Sequence, residues 1–170
     1  MAQGKIAVVY FSRADENYSV GIVEKGNTEI VAEAIARQTG AEIFKIERTK
    51  PYPVGYRACI DEAKKEQGAN ARPALKSTPD ISAFDTVYIG YPNWWGDLPM
   101  PMYTFLESHD WSGKTVVPFC THEGSGLSGT EATLRKICEG TTVKKGLAIR
   151  GATAQSNKSA VKKSVEDWIK

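Results

Sequence analysis

The chain has 170 residues, 41% hydrophobic and 25% charged, with a net charge of +2; that length suits one domain, 1–170, with a real core, and so small a charge excess points to neither nucleic acid nor a membrane as partner. Cys59, Cys120 and Cys138 form no C-x-x-C pair and read as reduced thiols of a cytoplasmic protein, not a disulfide framework or a zinc site. No signal peptide fits the opening MAQGK, and no apolar run approaches the length of a membrane span.

Residues 6–11, IAVVYF, are a continuous apolar run rich in β-branched and aromatic side chains, the pattern of a strand buried on both faces. A long loop, 12–29, follows. Ile30, Val31, Ala34 and Ile35 then recur at helical spacing, and Gly40 closes that helix. EIFKI at 42–46 alternates apolar and polar, which predicts a half-exposed strand near an edge. Tyr56, Ile60 and Ala63 place a second helix ending near Gly68, and 69–83 is a polar connector with prolines.

TVYIGY at 86–91 is the third strand, and Tyr103 and Leu106 mark a short helix starting near Pro101. TVVPFC at 115–120 is the fourth strand, although Pro118 removes a ladder donor. Ser128 and Glu131 have the spacing of a capping box before Leu134, Ile137 and Cys138. VKKGLAI at 143–149 is the fifth strand, and Val161, Val165, Trp168 and Ile169 mark the last helix. Five strands alternating with five helices predict an α/β fold: a doubly wound, five-stranded parallel sheet covered on both faces, three layers in all. Such sheets bind ligands beyond the carboxyl ends of their strands, so the loops after residues 11, 91 and 120 are the ones to read.

In the first of these loops, Gly26-Asn27-Thr28 opens a helix with a permissive glycine, a good N-cap and a hydroxyl. Free N–H groups and the positive end of a helix dipole suit a phosphate, though an ordinary capped helix fits this loop equally well. Arg13 and Lys25 are either added positive charge or solvated surface groups. In the second loop, YPNWWGDLPMP at 91–101, Trp94 and Trp95 are either aromatics folded back on the core or flat surfaces for a planar ligand. Gly96 permits backbone geometries closed to other residues. The third loop, THEGSGLSG at 121–129, holds G-x-G-x-x-G at Gly124, Gly126 and Gly129. It follows the fourth strand and not the first, which argues against a dinucleotide fingerprint. It reads as a glycine-rich turn whose amides face a ligand shared with the other loops. His122 and Glu123 are either an acid–base pair or two solvated polar residues.

Together these segments resemble the flavodoxin family over nearly the whole chain. Flavodoxins end their first loop in S/T-x-T-G-N-T-E, whose two ends match Ser12 and GNTE at 26–29. They also carry FD-x-V-x-x-G and then a short loop ending Trp-Gly-Asp, matched by FDTVYIG at 84–90 with Trp95, Gly96 and Asp97. The resemblance implies a flavodoxin-like strand order of 2-1-3-4-5 and one bound FMN. It implies that Ser12, Asn27 and Thr28 bind the FMN phosphate, and that Trp95 stacks on or flanks the isoalloxazine. Gly96 then supplies the peptide that turns to hydrogen-bond flavin N5 when one electron arrives. Thr121, His122, Gly124, Ser125 and Gly126 meet the pyrimidine edge. Arg13, Gly26, Pro92, Asn93 and Trp94 complete the cofactor-binding set.

The chain departs from the family in two ways. The segment Ala14 to Lys25 is an insertion that ordinary flavodoxins lack, and the isoelectric point is near 8.4 where electron carriers of the family are strongly acidic. The implied function is electron transfer to redox partner proteins or a small-molecule acceptor, by a monomer or weak dimer. The alternative is an FMN-dependent NAD(P)H:quinone-type oxidoreductase. A phospho-receiver module shares the strand order, but Phe11 and Tyr91 end the strands that would need acidic residues. No G-x-S-x-G is present, and His109 and His122 lie in separate segments that argue for no metal site.

Overall fold

The computed structural model describes residues 4–170; Met1, with which the stretch read for a signal peptide begins, lies outside them. Strand β1 (Ile6–Phe11) is followed by two short strands, β2 (Asp15–Asn17) and β3 (Gly21–Val23), then by α1 (Asn27–Thr39), β4 (Glu42–Ile46) and α2 (Tyr56–Gly68). Next come β5 (Thr86–Pro92), α3 (Met100–Glu107), β6 (Thr115–His122) and α4 (Thr130–Ile137). The chain finishes with β7 (Thr142–Val143), β8 (Leu147–Arg150), α5 (Gly151–Ser156) and α6 (Lys158–Ile169).

The main sheet is parallel, in the order β4-β1-β5-β6-β7, which is the expected 2-1-3-4-5 arrangement. β1 is apolar along its whole length because it lies between β4 and β5 and has no solvent face. Its side chains alternate between two cores, as strand geometry requires. Ala7, Val9 and Phe11 pack with Cys59 of α2, Phe105 of α3 and Leu134 of α4. Val8 and Tyr10 pack with Val31 and Ile35 of α1 and Val161 and Val165 of α6. β4 is the edge strand that its alternation predicts, exposed at Glu42, Ile43 and Lys45. Gly40 closes α1 with φ +72° and gives its N–H to Ala36 O at 2.9 Å. Among the described residues no helix is long and apolar enough to cross a membrane.

Three local expectations are corrected. The fifth strand is not continuous over 143–149 but split into β7 and β8. β6 pairs with β7 at Thr115 and Val116 and with β8 from Phe119 to His122, leaving Val117 and Pro118 without a partner on that side. The break falls where Pro118 lacks an N–H, and the departing chain is held by Gly146 N–H donating to Glu131 Oε2 at 2.8 Å. That contact also removes Glu131 from any capping box: Gly129 is the cap residue of α4, with no side-chain cap bond. Ser128 instead donates to Ser125 O at 3.3 Å. Finally, the loop 12–29 contains an antiparallel hairpin, with Asp15 opposite Val23 and Asn17 opposite Gly21.

Candidate functional site

The carboxyl ends of β1, β5 and β6 open on one cavity of about 470 Å³. Asn27, Pro92, Asn93, Trp94, Trp95, Gly96, Thr121, His122 and Ser125 all line it, so side chains from the three loops singled out in the sequence meet at one place. Its size lies in the range of small-molecule sites.

At the first loop, Ser12 Oγ accepts the Glu29 N–H at 3.0 Å, and Gly26 O accepts the Ile30 N–H at 3.3 Å. The N–H groups of Asn27 and Thr28 have no acceptor among the described residues. The Thr28 hydroxyl is buried, 2.7 Å from Thr121 Oγ1, and Asn27 Oδ1 accepts from Gln155 Nε2 at 2.8 Å. Gly26, not Asn27, is the cap residue, and its φ of −65° is open to any amino acid. Glycine is required here for space: a Cβ would stand 2.2 Å from Ser12 Oγ and 2.6 Å from Arg13 O. The Glu29 carboxylate is turned away, accepting from Tyr10 Oη at 2.8 Å and pairing with Lys45 at 3.2 Å. Two free amides and two hydroxyls fit a phosphate, and the one carboxylate on the cavity lining, Glu123, is engaged by the Ala152 N–H at 2.8 Å. Lys25 pairs with Glu33 at 2.8 Å. Arg13 lines the cavity, but its guanidinium is committed to backbone carbonyls: Glu16 O, and Pro53 O and Val54 O at 2.6 Å each.

The second loop is a two-residue turn. Trp94 N–H donates to Asp97 O at 3.0 Å and Asp97 N–H to Trp94 O at 3.1 Å. Between them Trp95 has φ +55° and Gly96 φ +77°, positive at both central positions as in a type I′ turn. A tryptophan there is an outlier, and side-chain contacts hold it. Its indole Nε1–H donates to Ile60 O at 3.0 Å, Gln67 Nε2 donates to its carbonyl at 3.3 Å, and Asn93 Oδ1 accepts the Gly96 N–H at 3.0 Å. The Lys64 ammonium lies 4.4 Å above the Trp95 ring. The two tryptophans differ. Trp94 packs edge-on against Phe11 and Tyr52, at 5.2 and 5.1 Å, as part of the core, while Trp95 is 46% exposed.

At the third loop β6 continues to His122, so Thr121 and His122 stand on the strand end. Asn93 ties this loop to the second: its N–H donates to Thr121 O at 2.9 Å and its Nδ2 to Gly126 O at 2.9 Å. Gly124 and Gly126 have φ of +138° and +61°. His122 and Glu123 are no acid–base pair. His122 Nδ1 accepts the Gly124 N–H at 2.8 Å, and Glu123 Oε1 accepts the Ala152 N–H at 2.8 Å, at the start of α5. Burial, with Arg150 nearby, holds the His122 pKa below its ordinary value, so the ring is neutral near pH 7.

One wall of the cavity was not anticipated. Asn17 and Tyr18 of the hairpin and Tyr56, Cys59, Ile60 and Ala63 of α2 also line it. Tyr56, Ile60 and Ala63 do form the apolar stripe of a helix, but Ile60 and Ala63 reach the cavity as well as the core side. Two three-residue strands are too short to show a period, so the hairpin left no readable signal. Cys59 is buried in the core cluster, and that burial raises its pKa.

A family model described as flavodoxin matches residues 5–169. No curated protein matches the chain. Among solved structures, a Bacteroides uniformis protein assigned as a flavoprotein is 29% identical with a TM-score of 0.77, over 99% of both chains. Its counterpart from Bacteroides eggerthii is 29% identical with a TM-score of 0.75, over 97% of this chain and 98% of its own. A Lactobacillus acidophilus flavoprotein, solved in complex with FMN, has a TM-score of 0.68 over 99% of this chain and 100% of its own. At 20% identity it bears on the fold alone.

Proposed function

The chain belongs to the flavodoxin family, and from that premise we propose that it is an FMN-loaded electron-transfer protein, one domain acting in the cytoplasm. The observation that carries this reading is the convergence of a phosphate-ready helix start, the Trp95–Gly96 turn and the Thr121–Gly126 loop on a single cavity. Bound FMN supplies reversible uptake of one or two electrons, which no side chain of this site offers.

The protein's part is to bind and orient. Ser12 and Thr28 supply hydroxyls, and Asn27 and Thr28 supply amides aimed along the positive end of α1 for the phosphate. The exposed ring of Trp95 offers a flat apolar face, while Trp94 holds the loop to the core. Gly96 O has no donor among the described residues, so it is free to accept a hydrogen from flavin N5. The Asp97 N–H of the same peptide is bound to Trp94 O at 3.1 Å, a modest hold on its orientation. Ser125 lines the cavity where the pyrimidine edge is proposed to lie, and Gly124 and Gly126 turn the loop there with positive φ. Three free and buried cysteines support a reducing compartment.

The test is the chromophore. Protein purified without added flavin should be yellow or take up FMN stoichiometrically, and the released compound should chromatograph as FMN. Recovery of FAD, or an apoprotein indifferent to FMN, overturns the reading.

A further inference from the structure

A second cavity, of about 520 Å³, lies in a groove between α1 and α6, on the other face of the sheet from α2. It shares no lining residue with the cavity at the strand ends. Ile30 and Ala34 of α1 and Val161 of α6 form its floor, all three buried in the second core. Gln38, at the end of α1, donates from Nε2 to Lys162 O at 3.0 Å. Gln155 of α5 donates to Lys25 O, just before α1, at 2.8 Å. Bonds at both ends of α1 hold the groove in shape before any ligand arrives, which lowers the ordering cost of binding.

We propose that this groove binds a small aliphatic dianion, a short hydrocarbon chain with a carboxylate at each end, held between Arg37 on α1 and Lys158 and Lys162 on α6. The site is separate from the one proposed for FMN, and neither proposal rests on the other.

Three observations select this ligand. The first is where the molecule keeps its positive charge. Four of the 22 basic residues and one of the 20 acidic ones line the groove, so it carries +3, while the 18 basic and 19 acidic residues elsewhere leave −1. The one lining carboxylate, Glu33, is taken by Lys25 at 2.8 Å. Arg37, Lys158 and Lys162 are exposed, and their side chains have no partner among the described residues. The second is the setting of the lysines. Lys158 opens α6 and Lys162 follows one turn later, with no acidic residue in the first turn. A helix N-terminus favours anions and disfavours cations, so an anion beside these lysines is attracted by the helix as well as by the ammonium groups.

The third is the division between walls and floor. Positive charge stands on both helices, which suits a ligand with one anionic group for each wall, and the planar guanidinium of Arg37 matches a carboxylate with two parallel donors. Between the walls the floor is aliphatic, with no aromatic ring among the described lining residues on which a nucleobase or other flat ring would stack. An inorganic anion would meet the charges and leave the floor unused.

The experiment titrates adipate into isotope-labelled protein, with FMN in excess to fill the phosphate cradle, and follows backbone amide shifts by NMR. In wild type the amides of residues 30–38 and 158–162 should shift saturably, while those of 26–28 stay in place. Lys158→Ala together with Lys162→Ala should weaken adipate binding about tenfold, and Arg37→Ala about threefold, from the worth of exposed charge pairs. All three side chains are exposed, so the variants should keep the fold. Sulfate, which has the charge without the chain, and hexanoate, which has the chain with one carboxylate, should each bind at least about threefold more weakly than adipate. Either of them binding as tightly overturns the ligand class. Groove amides that shift with poly-glutamate and not with adipate overturn it in favour of an acidic protein segment. Shifts that stay linear to about 10 mM adipate, where millimolar affinity would already saturate, or binding undiminished in the two-lysine variant, overturn the site. A protein that ignores FMN still reports the groove through the same amides, so the two proposals fail separately.

Discussion

Thr28 carries two duties on one hydroxyl. It hydrogen-bonds Thr121 across the first and third loops, and it stands at the helix start that the FMN phosphate is proposed to occupy. Replacing Asn27 and Thr28 together by alanine should weaken FMN binding by about 2–3 kcal/mol, the scale of lost charge-assisted hydrogen bonds. The same double variant should cost the apoprotein only about 1 kcal/mol. Fluorescence titration with FMN and urea unfolding separate the two effects, and an unchanged dissociation constant places the phosphate elsewhere. Gly96 isolates a different quantity. A Cβ there meets nothing within 4 Å, so Gly96→Ala tests backbone conformation without steric collision. At φ +77° an alanine should lower stability by about 1 kcal/mol. An alanine variant as stable as wild type in urea would show that the turn relaxes to another geometry. Sequence reading reached these positions through GNTE and Trp-Gly-Asp, short motifs at fixed places in the chain. It misplaced the reason for Gly26 and left the employment of Arg13 and Glu123 open, because each is settled by partners distant in the chain.

The central strands were readable because both their faces are covered, which forces a continuous apolar run. The fifth was read as one strand where the structure has two. The cause lies in its neighbour, since the proline that interrupts the ladder belongs to β6. Periodicity within one segment cannot report a donor missing from another. A related cross-strand constraint links Gly90 and Phe119, which are paired in register between β5 and β6. A Cβ on Gly90 would stand 2.1 Å from the Phe119 ring, and Phe119 is fully buried. Gly90→Ala should therefore destabilise the protein by about 1–3 kcal/mol through overpacking. Phe119→Leu should recover part of that loss in the double variant. Strictly additive losses in urea denaturation would show that the ring and the new methyl never meet.

Across the whole molecule the charge balance sets how the flavin feels its surroundings. The net charge is +2, and Glu123 is the one carboxylate among the residues that line the cavity. Adding the second electron to the flavin thus meets little repulsion from the protein. Its potential should be higher than in strongly acidic carriers of the same fold, and should shift little with added salt. Redox titration at about 10 mM and 500 mM salt, where screening lengths differ several-fold, checks this. A potential that rises steeply with salt would reveal a negative field at the flavin that the charge balance does not predict.

The hairpin is anchored through the same stretch of chain that leads into the helix start proposed for the phosphate. Arg13, which grips the carbonyls of residues 53 and 54, directly follows Ser12, and the space beside both is tight enough to exclude a Cβ on Gly26. One short length of backbone therefore belongs at once to the phosphate end of the cofactor and to the root of the aromatic wall. Any coupling carried by that backbone would run equally in both directions: a ligand that draws the phosphate end tighter would hold the hairpin tighter, and whatever holds the hairpin would be felt to the same degree at the phosphate end.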